Sequence, residues 1–569
     1  MIPISLNPGF ALLLGALVTL IAPTRLRAVL ALAASLGALA LAFTPSFGQH
    51  AAIAQLGLTL VPLRLDALSQ TFGVLFALVA IMLSLHGPDA KAPAETGALL
   101  ALAGGALCAV YAGDLVSFVA AAEVATLAAV ALLLLREDWT AQETGIRLLG
   151  WQALSSVLFL SGAAFAIAEN GSAEFARLSP RTPGGALVLA ALAVKAGFPI
   201  AHVWLKEALP RASAAGSAGI AAFTTMLGVY GLLRGYAGEP ALIVVGLVMA
   251  IAPAVYAMAE DDLRRALAYG LVVQTGVIVV CIGVGSPLAM AAAAAHAFAT
   301  TIAFALMAMA LGLVKARTGS ARVSELGGLA RTMPATAALV VVAALSVAGA
   351  PLTAGFASLA LVFDAVAQAQ RPVAYYALIA AVGAGVAHTA VKIPYAAFFA
   401  PARKPPPPPG FFDAPQLAML QAAATIVAIG VAPRWLYDYL PPDPIGFSPY
   451  GWSRMSSHLQ LAVFAALAVA AARIARLYPV ERGDLRDVDR LIHGPIWKLA
   501  QRIGAALAGV HRAWRAGEGR TADVVGRLAL RWTQASDRPT RRLAADAAWI
   551  LFMLAGVLAL SLAFAIPQT

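Results

Sequence analysis

Two charged residues stand in stretches that otherwise hold almost only apolar and small side chains. Lys195 lies in Leu187-Val-Leu-Ala-Ala-Leu-Ala-Val-Lys-Ala-Gly-Phe-Pro199, and Glu123 in Phe118-Val-Ala-Ala-Ala-Glu-Val-Ala-Thr-Leu127. An ion at membrane depth is costly, so such residues point to an ion path and call for a named partner. Burial disfavours the charge on both a carboxylate and an amine, so a Glu123–Lys195 pair can exist charged or, after proton exchange, neutral. That pair reads as a proton relay; the alternative is a static ion pair that fixes helix packing. Pro199 leaves backbone groups unpaired four residues after the lysine, which hydrocarbon does not tolerate unless protein or a polar cavity receives them.

Further polar groups lie in other apolar runs. His296, in Ala291-Ala-Ala-Ala-Ala-His-Ala-Phe-Ala-Thr-Thr301, either relays protons or packs as a satisfied core histidine. Lys392, in Val386-Ala-His-Thr-Ala-Val-Lys-Ile-Pro-Tyr395, either snorkels to the interface or serves an exit, and His388 one turn earlier favours a path there. His202 and Trp204 read as interface anchors or functional groups, and Asp114 as a helix cap.

The elements that must position these groups are membrane spans. The chain has 569 residues, 61% hydrophobic and 12% charged, with a mean hydropathy of +0.83, which fits a polytopic membrane protein and no soluble core. Apolar runs long enough to cross about 30 Å of hydrocarbon lie near 8–23, 27–43, 67–85, 96–112, 115–135, 146–168, 184–204, 217–234, 241–258, 266–284, 288–314, 334–370, 373–400, 414–433, 457–477 and 546–566. The fold class is therefore all-α and polytopic, with about sixteen transmembrane helices. The first run reads as a retained span, since no basic region precedes it. The twelfth contains Gly349-Ala-Pro-Leu-Thr-Ala-Gly-Phe356 and, like the seventh, reads as a broken helix. Two breaks five spans apart suggest two inverted five-helix repeats, spans 4–8 and 9–13.

This divides the chain into N-terminal helices (1–95), a first repeat (96–236), a second repeat (237–400), spans 14–15 with a proline-rich linker (401–478), a basic amphipathic segment (479–544) and a last span (545–569). Fifteen Lys and Arg follow odd-numbered spans up to the thirteenth, against seven after even-numbered ones. That asymmetry places the odd loops and 479–544 in the cytoplasm of a bacterial inner membrane and both termini outside. In 479–544, Ile496, Leu499, Ile503, Leu507, Val510 and Trp514 recur at helical spacing with Arg502, Arg512 and Arg515 between them. Such a helix lies along a surface, either on anionic lipid or as a strut against partner subunits, and a nucleic-acid partner is not expected. Cys108 and Cys281 offer neither a disulfide framework nor a metal motif, and no phosphate-binding or dinucleotide-binding glycine pattern is present, so no cofactor is expected.

Five motifs together resemble one family. They are Phe198-Pro-Ile-Ala-His-Val-Trp-Leu205, Gly228-Val-Tyr-Gly-Leu-Leu-Arg234, Asp262-Leu-Arg-Arg-Ala-Leu-Ala-Tyr269 with Gln274-Thr-Gly276, Ser324-Glu-Leu-Gly-Gly-Leu-Ala-Arg-Thr-Met-Pro334, and the Gly349–Phe356 break. Over roughly 65–400 the chain resembles the antiporter-like subunits of respiratory complex I, the A-type and D-type proteins of Mrp cation/proton antiporters and their kin in membrane-bound hydrogenases. Lys392-Ile-Pro-Tyr-Ala-Ala-Phe-Phe399 and the tail are most similar to the D-type Mrp proteins, and the amphipathic segment before a last span resembles the lateral helix of the largest complex I antiporter-like subunit. The resemblance implies a proton- or cation/proton-translocating subunit of a multisubunit complex, not catalytic alone, with Glu123, Lys195 and His296 on the path and other membrane subunits as partners. Charges common in relatives are replaced here by Met226, Phe304 and Leu359. Protons then leave by another route, through His296, His388 and Lys392, or the subunit is a non-conducting scaffold beside a competent paralogue.

Overall fold

The computed structural model describes residues 6–475 apart from 51, 56, 88–93, 406, 409–412 and 442–445. The apolar runs become helices: α1 (Gly9–Ile21), α2 (Thr24–Leu41), α3 (Ala67–His86), α4 (Glu95–Val110), α5 (Leu115–Leu134), α6 (Trp139–Asn170), α7 (Pro183–Ala196), α8 (Val203–Arg211), α9 (Ala214–Gly235), α10 (Ala241–Ala259), α11 (Leu263–Val284), α12 (Pro287–Thr318), α13 (Pro334–Val347), α14 (Ala354–Gln368), α15 (Pro372–Phe399), α16 (Ala414–Val431) and α17 (Trp452–Ile474). Among the described residues, eleven helical stretches are long and apolar enough to cross a membrane. The segment 479–544 and the run 546–566 lie outside the described residues.

The reading as all-α needs one correction. Between α2 and α3 the chain forms four three-residue strands, β1 (Gly48–His50), β2 (Ile53–Gln55), β3 (Leu58–Leu60) and β4 (Leu63–Leu65). β1 pairs antiparallel with β4, Gly48 opposite Leu65, and β2 with β3, Ile53 opposite Leu60. Leu-Thr-Leu and Leu-Arg-Leu have the period-2 alternation of strands, but over lengths too short to register beside apolar runs of twenty. The hairpin seats on the α4–α5 turn, where Gly113 N donates to Val61 O (2.7 Å) and Val61 N donates to the Asp114 carboxylate (2.7 Å). Asp114 also accepts from Ser117 N (2.7 Å), as expected of an N-cap.

α3, α9, α11 and α12 form the interior; α12 packs against α9, α11, α13, α14 and α16. Its Ala291–Ala295 run lets neighbours approach closely, which substitutes for hydrophobic driving force inside a bilayer. α2 and α17 lie at the periphery.

Both broken helices fail in the same way. α7 ends at Gly197 (φ 73°), and α13 is followed by Gly349 (φ 68°). Three residues beyond each glycine a bulky residue also adopts positive φ, Ile200 (75°) and Leu352 (65°), a strained conformation for side chains with a Cβ. The sequences share Ala-Gly-x-Pro: Ala196-Gly-Phe-Pro199 and Ala348-Gly-Ala-Pro351. The shared pattern puts Val347 where the first break has Lys195. Another correspondence spans the same halves: Asp114 caps α5 and bridges to Glu174, while Asp262 caps α11 and bridges to Arg322. One sequence offset takes Asp114 to Asp262 and Glu174 to Arg322.

Candidate functional site

Lys195 is the next-to-last residue of α7 and is 2% exposed. Its Nζ donates to Thr126 Oγ1 on α5 (3.1 Å) and to Gln152 Oε1 on α6 (3.0 Å). Gly228 on α9 backs the lysine closely: a Cβ there would lie 2.6 Å from Ala196 N and 3.0 Å from Lys195 Cβ. Ser155 Oγ and Trp204 Nε1 hold the last turn of α7 through Ala191 O and Val194 O (2.9 Å each).

Glu123 belongs to the same cluster without pairing directly. Its carboxylate accepts from Ser156 Oγ, whose hydroxyl also lies 2.8 Å from Gln152 O. Among the described residues no Glu123–Lys195 ion pair forms, because Glu123 and Thr126 lie one turn apart on α5, and Gln152 and Ser156 one turn apart on α6. The lysine reaches one rung of this ladder and the glutamate occupies the other.

A second cluster forms around His296, 4% exposed in α12. Its Nε2 pairs with Gln274 Oε1 on α11 (2.9 Å) and its Nδ1 with Ser358 Oγ on α14 (3.1 Å). The offset that relates Asp114 to Asp262 places Gln274 where the first cluster has Thr126, but Phe304 and Leu271 where it has Ser156 and Glu123. Met226, Phe304 and Leu359 are all buried.

His388 and Lys392 sit in a π-helical part of α15, Val386–Lys392, where the widened turn is a feature often found at functional sites. His388 is fully buried; its Nδ1 pairs with Thr389 Oγ1 (2.7 Å). A Cβ on Gly270 would lie 3.3 Å from both His388 Cε1 and Phe304 Cε1, so the phenylalanine closes the space beside this histidine. Lys392 reaches the end of α10. It is 3% exposed, and its Nζ donates to Ala257 O (3.0 Å), Met258 O (2.8 Å) and Glu260 O (2.5 Å) at the end of α10. An ammonium there satisfies carbonyls that a helix C-terminus leaves open.

The family model described as NADH:quinone oxidoreductase/Mrp antiporter, transmembrane, matches residues 112–384. NADH-quinone oxidoreductase subunit N of Cereibacter sphaeroides is 31% identical over 394 residues, covering 66% of this chain and 85% of that protein. The chain belongs to this family. NADH-quinone oxidoreductase subunit N of Desulforudis audaxviator is 31% identical, over 50% of this chain and 61% of its own length. A chain of an archaeal respiratory membrane complex, the membrane-bound sulfane sulfur reductase, has the same fold, with a TM-score of 0.72 over 93% of this chain and 99% of that one at 22% identity. This member of the antiporter family is thus a multi-span integral membrane protein.

In this family member several charges outside the apolar runs are buried as well. Lys206 and Glu95, just outside the apolar runs 184–204 and 96–112, are buried: Lys206 Nζ donates to Tyr269 Oη (3.3 Å), and Glu95 accepts from Ser213 Oγ. Arg264 spends its guanidinium on Pro210 O, Ala212 O and Ser213 O (2.9–3.1 Å) at the end of α8. His202 and Trp204 are interior, not interface anchors. His458, on α17, went unnoticed and lies at the second break. It is the second residue of the apolar run 457–477, directly after the polar stretch Trp452-Ser-Arg-Met-Ser-Ser457, and a histidine at a polar span end carries little signal.

Proposed function

We propose that the chain is a proton- or cation/proton-translocating subunit of a multisubunit inner-membrane complex. One observation carries this reading: Lys195, buried at a helix break, is held by neutral Thr126 and Gln152, with no carboxylate in contact. A carboxylate contact would pin the lysine in its charged form. A hydroxyl can accept from an ammonium and donate to an amine, and an amide carries both an acceptor and a donor, so this shell can host either form. Glu123, one rung away, biases the charge without locking it. His296 with Gln274 and Ser358 continues the path, then His388, with Lys392 closing the end of α10 beside it.

The matching breaks and the Asp114 and Asp262 caps support two inverted five-helix repeats, 96–236 and 237–400, preceded by helices 1–95 and followed by spans 14–15 in 401–478. In this reading the chain has sixteen spans, both termini outside, and 479–544 on the cytoplasmic face against anionic lipid or neighbouring subunits before the last span, 545–569. The partners are other membrane subunits of an Mrp-like or complex I-like assembly; two relatives carry the name of an NADH-quinone oxidoreductase subunit.

The test is ion flux through the complex, purified by a tag on this chain and reconstituted in proteoliposomes. Lys195→Ala should lower flux by about 100-fold, the scale of losing a proton-transfer group, with subunit composition unchanged. Wild-type flux from a fully assembled Lys195→Ala complex would sink the reading.

A further inference from the structure

The second break lacks an ion of its own. The residue in register with Lys195 is Val347, and Leu345 and Ser346 before it carry no charge. Another helix brings an ionisable ring there. His458, 6% exposed on α17, places Nδ1 3.4 Å from the point a Cβ on Gly349 would occupy, and Leu359 Cδ1 comes within 2.9 Å of the same point. The ring packs edge-on against Phe356 (centroids 5.3 Å) and Phe363 (5.4 Å), so α14 fixes its position. One turn before His458, Arg454 pairs with Asp364 on α14 at 2.6 Å, and both of these side chains are partly exposed.

We propose that His458 is the ionisable group of the second break, and that the Asp364–Arg454 pair is the exposed end of the route it serves. The proposal rests on the reading of the chain as a conductor. Packing against Phe356 and Phe363 alone would be met better by a phenylalanine, which carries no ring nitrogens to desolvate. The imidazole takes a proton on one ring nitrogen and releases one from the other, so the residue is restored once the ring returns to its starting tautomer. The charged group acting on it is Asp364, itself paired with Arg454; two further titratable rings, Tyr450 and Tyr375, lie beyond Phe356 and Phe363.

The test uses the intact reconstituted complex. His458→Phe keeps the ring packing and removes both nitrogens; flux should fall at least about tenfold with assembly unchanged. Since Leu359 reaches the same point from α14, adding Leu359→His to His458→Phe should restore at least half of the lost flux. Wild-type flux in His458→Phe while Lys195→Ala is inactive would overturn this proposal and leave the conducting reading intact. Loss of flux in His458→Phe with no recovery in the double variant would assign His458 to packing and overturn it too. Unaltered flux in Lys195→Ala would remove the underlying reading, and this proposal with it. Should His458→Phe fail to assemble, His458→Gln is read by the same criteria.

Discussion

At the first break, the Ala-Gly-x-Pro step follows a lysine seated on two neutral side chains; at the second, the same step follows Val347. The backbones agree down to the positive φ of Ile200 and Leu352. Chain geometry is therefore shared between the two halves while their chemistry is not. The first half keeps its polar groups on three consecutive elements, α5, α6 and α7. The second gathers them from scattered ones: His296 from α12, Gln274 from α11, Ser358 from α14 and His458 from α17.

Alanine in place of the residue that precedes each Ala-Gly-x-Pro step sharpens this contrast most. Beside the large loss expected for Lys195→Ala, Val347→Ala should leave flux within about twofold, its cost being a small cavity of roughly 1–2 kcal/mol in stability. Comparable flux loss in both would mean that the second break conducts through its backbone step and not through borrowed side chains. Next in size is Glu123→Gln. The amide oxygen can still accept from Ser156, so the ladder stays intact and only the charge is removed. Flux should drop about tenfold, less than for Lys195→Ala, with a displaced pH profile. A loss as large as that of Lys195→Ala would show that the two act as one unit.

The broken helices, the cap at Asp114 and the cluster partners Glu123 and Lys195 were all legible in the sequence, because an ion or a proline in an apolar run is a strong local signal. Thr126, Gln152 and Ser156 were not. Polar neutral residues are common in membrane helices, and only packing tells which of them face a lysine. Lys206, Glu95 and Arg264 lie just outside the apolar runs 184–204, 96–112 and 266–284, where a charge carries no sign of burial, yet all three are buried. The β-hairpin escaped because its strands are three residues long. His458 was invisible because its partner, Gly349, is more than a hundred residues away in sequence.

Lys392 offers a second comparison, between two buried lysines. Lys195 is held by side chains, Lys392 by three main-chain carbonyls of α10. Carbonyls only accept, so they favour the ammonium and fix it. Lys392→Met should therefore act mainly on stability, by about 2 kcal/mol, seen as a lower melting temperature of the solubilised complex with flux per assembled complex largely kept. Flux loss without destabilisation would move Lys392 from cap to path.

The smallest effect belongs to a pair that is static by construction. Arg234 at the end of α9 donates two parallel hydrogen bonds to Asp66 (2.9 Å each), its Nε donates to Tyr230 Oη (2.9 Å), and Asp66 also caps α3 through Ser69 N (2.9 Å). Burial pushes the Asp66 carboxyl up, but the hydrogen bonds and charge of Arg234 outweigh it and hold the group below the ordinary carboxylate range. A lowered folded-state value means that the contribution is complete above about pH 4 and is lost as pH falls through the lowered value. Asp66→Asn should cost about 1 kcal/mol at neutral pH, since the carboxylate is partly exposed. The variant's melting temperature should also respond less than wild type to acidification below pH about 4. Flux should be unchanged, because a guanidinium clamped to a carboxylate has no neutral form to offer. A change in flux for Asp66→Asn at constant stability would erase the distinction between a clamp and a relay on which the reading of Lys195 depends.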